Sequence, residues 1–245
     1  MVSAWAAENG LVVGQIKTEE KSNEITAIPA LLEMIEVQGC LVTIDAMGCQ
    51  KEIAAKIVKK KADYLLSLKR NQESLYEEVF TFFQHAQETN FDGLQWDFHE
   101  TKDRNHGRYE VRRYWTISSL EGLKQVKKWP QLCLIGMVES ECTCKGETAR
   151  DFRFYISSRE MSAEFLAKAV RGHWGIENSL HWVLDMSFRE DQSRIRAGNA
   201  AENFSIIRRL ALNLIKQEKS LKRGVKGKRL LAGWDDNYFL KIISG

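Results

Sequence analysis

Two acids stand where chemistry could be done. Asp45 follows the apolar run Cys40-Leu41-Val42-Thr43-Ile44 and leads into Ala46-Met47-Gly48. The run reads as a buried strand, and the carboxyl end of a strand is where α/β sheets place their sites. A metal-binding carboxylate needs rigid support of that kind. A strand-ending Asp is also a common cap of the next turn, so the two readings stand side by side. Glu177 lies in the run His173-Trp174-Gly175-Ile176-Glu177-Asn178-Ser179-Leu180-His181-Trp182-Val183-Leu184-Asp185. On a helix Glu177, His181 and Asp185 share one face, beside an apolar stripe of Ile176, Leu180 and Leu184. Such a helix can pack on a sheet and aim a carboxylate at its edge. His173 and His181 also open a zinc reading, although a lone histidine pair more often packs or hydrogen-bonds than ligates. Phosphoryl transfer calls for hard oxygen ligands and Mg²⁺ instead. Cys142-Thr143-Cys144, with Cys133 upstream, lacks a second Cys/His pair at zinc spacing and reads as structural.

Basic residues flank both acids. Lys102, Arg104, His106, Arg108, Arg112 and Arg113 lie close together, with Tyr109, Tyr114 and Trp115 among them. Arg189, Arg194 and Arg196 follow Glu177, and a further basic stretch runs from Arg208 to Arg229. One such cluster alone reads as a solvated face. Three of them around candidate metal acids read as phosphate contacts. Lys69-Arg70-Asn71-Gln72, just after a buried strand, is polar where a substrate would arrive.

The elements that must position these residues follow from periodicity. Residues 1–7 and 11–17 are two apolar runs joined by Glu8-Asn9-Gly10, a hairpin signal. Helical spacing covers 24–38, capped by Ser22 or Asn23, with Pro29 inside and Gly39 at its end. A strand over 40–44, a helix over 50–61, a strand over 63–68 and a helix over 72–87 follow. This part reads β-β-α-β-α-β-α, an α/β layering. Alternation over 95–102, 109–117, 131–138 and 151–156 predicts a mostly antiparallel β region, with one helix over 120–128. Helices are predicted over 163–171, 174–186 and 197–216, and a basic, Gly-containing tail over 219–229.

Composition sets the bounds. A chain of 245 residues with 44% hydrophobic residues can build a core without staples. The net charge of +3, from 36 Lys+Arg against 33 Asp+Glu, is too mild to require a nucleic-acid partner by itself. The five cysteines and the lack of a leader point to a reducing cytosol, and no run is long enough for a bilayer.

The runs TIDAMGCQKEIA, KSNEITAIPALL, YLLSLKRNQ, HWGIENSLHWVLDMSFREDQSRIR and NFSIIRRLALNL resemble the H-repeat-associated transposases, within the wider DDE insertion-sequence transposases. The resemblance covers nearly the whole chain, with the motifs in order. It implies an α/β, ribonuclease-H-like core with a β-rich insertion and a helical C-terminal part. One catalytic domain would span 1–245: the first part of the core over 1–68, a helix and the insertion over 69–161, and the helical part over 162–245. Asp45 matches the family's second Asp and Glu177 its Glu. The upstream Asp-Gly-Lys segment of the family's first strand has no counterpart, since Met1 falls where the second strand begins and Glu8 sits in a turn. The wider group often has a Tyr and an Arg before the Glu and a Lys after it. Val170, His173 and Leu184 stand there instead.

In the complete enzyme three carboxylates would hold two Mg²⁺ (or Mn²⁺) ions about 4 Å apart. The partner implied is double-stranded DNA, both transposon ends and target, and the assembly implied is a homodimer. His173, Asn178 and His181 would support the metal acids or touch DNA. Lys69, Asn71, Gln72, Arg104, His106, Arg108, Arg112, Arg194 and Arg196 would bind DNA. Location would be cytoplasmic, at the nucleoid when DNA is bound. Lacking the first acid and first strand, the chain is expected not to cut DNA and to be marginally stable. The competing readings are a DNA-binding remnant that no longer cuts, a metal-dependent nuclease of other biology, and a zinc hydrolase on His173 and His181.

Overall fold

A computed structural model describes residues 1–18, 24–105 and 107–244. The expected cap at Ser22 or Asn23 lies outside the described residues, as does His106. The chain parts into two compact units, residues 24–171 and residues 1–23 with 172–245.

The larger unit is built on a six-stranded sheet of order β3-β4-β8-β7-β6-β5. Helix α1 (Glu24–Met34) leads to β3 (Leu41–Ile44), helix α2 (Lys51–Lys59) and β4 (Asp63–Leu68). β3 and β4 are parallel, with Ile44 opposite Leu66. α2 makes the crossover that parallel pairing requires, and Ile53, Ala54 and Ile57 are its buried residues. α1 stops short of the predicted end because Lys60 Nζ takes the carbonyls of Leu32 and Ile35, both at 2.6 Å. That ammonium satisfies acceptors which a longer helix would have left to the backbone. α3 (Glu73–Glu88) buries Leu75, Val79, Phe83 and Ala86, a stripe at helical spacing.

β5 (Trp96–Asn105), β6 (Arg108–Ile117), β7 (Leu134–Cys144) and β8 (Glu147–Ser157) form an antiparallel meander, and β8 closes it onto β4. The buried half of β8 is its carboxyl half, and the buried half of β7 its amino half. The remaining halves project with ion pairs rather than apolar cover. They run well beyond the predicted 131–138 and 151–156, since a strand solvated on both faces loses the alternation that betrays it. Lys145 (φ 52°) and Gly146 (φ 86°) turn this hairpin, both in the left-handed region that a two-residue turn demands. Cys142 and Cys144 are strand residues there, with free thiols.

The predicted helix over 120–128 shrinks to one 3₁₀ turn at Val126–Lys128. Gly122 sits at φ +95°, and Glu78 of α3 accepts the backbone N–H groups of Lys124 (2.7 Å) and Gln125 (2.8 Å). Those amides are thereby spent on a carboxylate instead of a helical ladder. Helix α4 (Ala163–Ile176) then packs Ala163, Leu166, Ala167 and Val170 against Leu65, Tyr114, Val138 and Tyr155 of the sheet.

In the smaller unit, β1 (Val2–Ala6) and β2 (Leu11–Ile16) form a separate two-stranded sheet among the described residues. They are not strands of the large sheet, as the ribonuclease-H-like reading expected. Their partner is α6 (Ala200–Gln217): Asn213 accepts from Val12 N at 3.0 Å and donates to Val12 O at 2.8 Å. Helix α5 (Trp182–Phe188) contributes Leu184 to a core with Leu180 and Leu212, against which Trp5, Val12, Ile176 and Phe188 pack. The basic tail is irregular over 219–224 and helical from Val225, in α7 (Val225–Ala232); α8 (Asp236–Ser244) follows it.

Candidate metal and DNA site

Asp45 stands at the carboxyl end of β3, exposed, and begins the 3₁₀ turn Ala46–Gly48. Its Oδ1 accepts from Gly48 N at 3.5 Å, the long limit of a hydrogen bond, so the capping role is present but weak. Among the described residues no cation pairs with it.

The turn is held from three sides. Gly48 is buried, and a Cβ there would come within 2.4 Å of Ile44 Cγ2 and 2.9 Å of Ile28 Cδ1. Only a residue with no side chain lets the turn lie this close to β3 and α1. Asn71 Nδ2 donates to Ala46 O at 2.6 Å. Gln72 Nε2 donates to Cys49 O at 3.0 Å and to Gln50 Oε1 at 3.1 Å. Asn71 and Gln72, read from sequence as DNA contacts, thus spend their amide donors on the loop that carries Asp45. Lys69 is exposed beside them, with no carboxylate partner among the described residues.

Glu177 opens a π-helical turn, Glu177–His181, between α4 and α5. The widened turn interrupts the 3.6-residue period read from the sequence over Glu177, His181 and Asp185. Leu180 and Leu184 remain fully buried, and Ile176 packs on the same core, so the apolar stripe survives. Glu177 and Asn178 are exposed and His181 half-buried. His173 packs edge-on against Trp174 at 5.4 Å. Lys216 of α6 donates to Ser179 O at 2.8 Å and lies 4.3 Å from the Trp5 ring. Burial, and then Lys219, hold its pKa below the usual lysine range. Sequence reading counts Lys216 as one more basic residue, and its only available sign is its i, i+4 spacing from Leu212. The Asp185 carboxyl is held above its ordinary value by burial and then by the neighbouring charge of Asp191.

The two acids belong to different units, and each is placed within its own. Among the described residues no three His, Cys, Asp or Glu side chains gather as a metal-binding group. Both acids are exposed oxygen donors without a cationic partner among the described residues.

Strand alternation divides the basic cluster of the meander. Arg104 pairs across with Tyr109, while Arg108 faces Asn105 and Arg112 faces Thr101, so Arg104 lies on the opposite face from Arg108 and Arg112. The basic residues that lie close together in sequence are therefore divided between the two faces of the meander. Arg112 is held by Glu110 at 2.6 Å and Asp103 at 3.8 Å, and Arg108 by Glu110 at 3.6 Å. Arg113 reaches Glu100 (3.0 Å) and Glu139 (3.3 Å). Arg104 and Arg194 are exposed with no carboxylate partner among the described residues. Arg196 is exposed too and donates to the carbonyls of Ser193 and Ile195.

Comparison with known proteins places this geometry. The Transposase DDE domain family matches residues 1–214. "Putative transposase YncI" of Escherichia coli O157:H7 is 44% identical over 255 aligned residues, covering 100% of this chain and 63% of that protein. "H repeat-associated putative transposase YhhI" of Escherichia coli K12 is 41% identical over 256, covering 100% of this chain and 65% of that protein. The chain thus spans a little under two thirds of the length of these relatives. By family match and by identity along its whole length, the chain belongs to the DDE transposase domain family.

Proposed function

We propose that this chain is the catalytic portion of an insertion-sequence DNA transposase, with Asp45 and Glu177 as metal-holding carboxylates. The observation that carries the reading is the setting of Asp45. It is an exposed acid without a cationic partner among the described residues, at the carboxyl end of a parallel strand, on a turn braced by Gly48, Asn71 and Gln72. A ribonuclease-H-like core around β3 and β4, an insertion over 69–161 and a helical part over 162–245 belong to this reading, as do a homodimer and a place at the nucleoid.

Mg²⁺ or Mn²⁺, when bound, would supply the charge that stabilises the phosphate in the transition state. In cleavage, a water oxygen forms a bond to phosphorus as the P–O3′ bond breaks, leaving a 3′-hydroxyl at the transposon end. In strand transfer the oxygen of that hydroxyl forms a bond to a target phosphorus as the target's own P–O3′ bond breaks, and its proton ends on the departing target 3′-oxygen. Lys69, Arg104, Arg194 and Arg196 would hold backbone phosphates; each is exposed and has no carboxylate partner among the described residues. His173, Asn178 and His181 would support Glu177 or meet DNA.

Two measurements test this. Duplex DNA should bind at low salt and weaken roughly 40-fold between about 50 and 200 mM salt if three phosphates are contacted. Mn²⁺ binding, read by electron paramagnetic resonance, should fall about tenfold or more in Asp45→Asn and in Glu177→Gln while DNA binding persists. Mn²⁺ binding indifferent to both substitutions, or no DNA binding at low salt, would sink the reading.

A further inference from the structure

Beyond the carboxyl end of β4 lies an open recess lined by Lys69, Arg70, Tyr76, Phe152 and Arg153. Because β3 and β4 are parallel and Ile44 stands opposite Leu66, the recess and Asp45 share one edge of the sheet. The 2.6 Å bond from Asn71 to Ala46 O ties their two loops together.

The chemistry of the lining is specific. Arg70 reaches Glu77 only at 3.8 Å across exposed surface, a pair too loose to neutralise it, and Lys69 has no carboxylate partner among the described residues. Arg153 is oriented by Asp151 at 2.8 Å. Tyr76 is fixed edge-on against Phe154 at 5.5 Å, with the Arg70 guanidinium 5.8 Å from its ring. Phe152 leaves 47% of itself in solvent, where its strand neighbour Phe154 leaves 2%. Cations that take a phosphate, beside an aromatic face that takes a base, are how proteins seat a nucleotide of a single strand. A base inside a duplex has both faces covered by its neighbours, so away from duplex ends an exposed phenyl ring stacks on an unpaired one.

We propose that this recess seats one unpaired nucleotide of the DNA strand that passes Asp45, its phosphate on Lys69 and Arg70 and its base on Phe152. The proposal rests on DNA being the substrate. It is tested with a blunt duplex and the same duplex carrying a short unpaired tail that contains 2-aminopurine, titrated with the chain at low salt. The tailed form should bind roughly tenfold more tightly, with the 2-aminopurine fluorescence quenched by stacking. Phe152→Ala should lose both the preference and the quench yet bind blunt duplex as before, and Phe152→Tyr should keep both. Thermal melting of the three proteins should coincide, since the ring makes no part of the core. Equal binding of tailed and blunt DNA without quenching would overturn the recess and leave the DNA reading intact. Failure to bind either DNA would overturn both.

Discussion

The side chains around Asp45 divide by what their polar atoms already do. Asn71 and Gln72 brace the turn, whereas Lys69 is uncommitted. Asn71→Ala should therefore lose about 0.5–1.5 kcal/mol and speed amide exchange at Gly48 and Cys49, leaving the salt slope of DNA binding unchanged. Lys69→Ala should lower that slope by about 1 with no loss of stability. A slope that fell for Asn71→Ala instead would return that residue to the DNA contacts. Gly48→Ala tests the packing directly. Its new Cβ would press on Ile44 Cγ2 and Ile28 Cδ1, and urea unfolding should show about 1–3 kcal/mol of destabilisation. An unchanged midpoint would mean that the turn is free to relax. The strand-end position of Asp45 was legible in the sequence because an apolar run stops at an acid. The brace was not, because amide donors 26 and 27 residues downstream carry no pattern that points back.

At the level of elements, legibility followed burial. β3, α2, β4 and α3 each have one dominant apolar periodicity, and all four were readable to within a residue or two at most ends. The outer halves of β7 and β8 were not, since pairs such as Glu141 with Arg150 at 2.9 Å and Thr143 with Thr148 at 2.9 Å hold them without apolar cover. The 120–128 helix failed because Glu78, distant in sequence, captures its amides. The π turn was equally hidden. It needs Lys216 to satisfy Ser179 O, a tertiary partner on α6. Lys216→Met should accordingly speed amide exchange along Glu177–His181 and shift the emission of Trp5, whose ring loses its cation. If exchange there were unaltered, the widened turn would be intrinsic to its own sequence.

For the whole molecule, pH offers a probe of how the C-terminal helices are held. Glu218 is buried, bonded to Ser220 and to Tyr238 (2.9 Å), and paired with Lys228 at 3.2 Å. The Ser220 hydroxyl, then Tyr238 and Lys228, hold its carboxyl down from the ordinary 4.5 to about 2. A carboxylate with a depressed folded-state pKa gives stability that is complete above its unfolded value and is lost as pH falls through the folded one. Acid titration followed by circular dichroism should therefore show a loss of helix between about pH 4.5 and 2. Glu218→Gln should flatten that segment of the curve, and a curve identical to the parent would remove Glu218 as its cause.

Among the described residues β3, the strand that carries Asp45, has a hydrogen-bonded neighbour strand on one side only. Its other side is a row of backbone donors and acceptors about 4.8 Å from where one more strand would lie. Any segment of protein that paired there would bring its own side chains within a metal ion's reach of Asp45. The edge at which the sheet can grow is thus the edge at which its acid stands. Recruitment of a strand would then be at once an event of folding and the completion of a ligand set, and the same open edge, left unfilled, would make chains stick to one another.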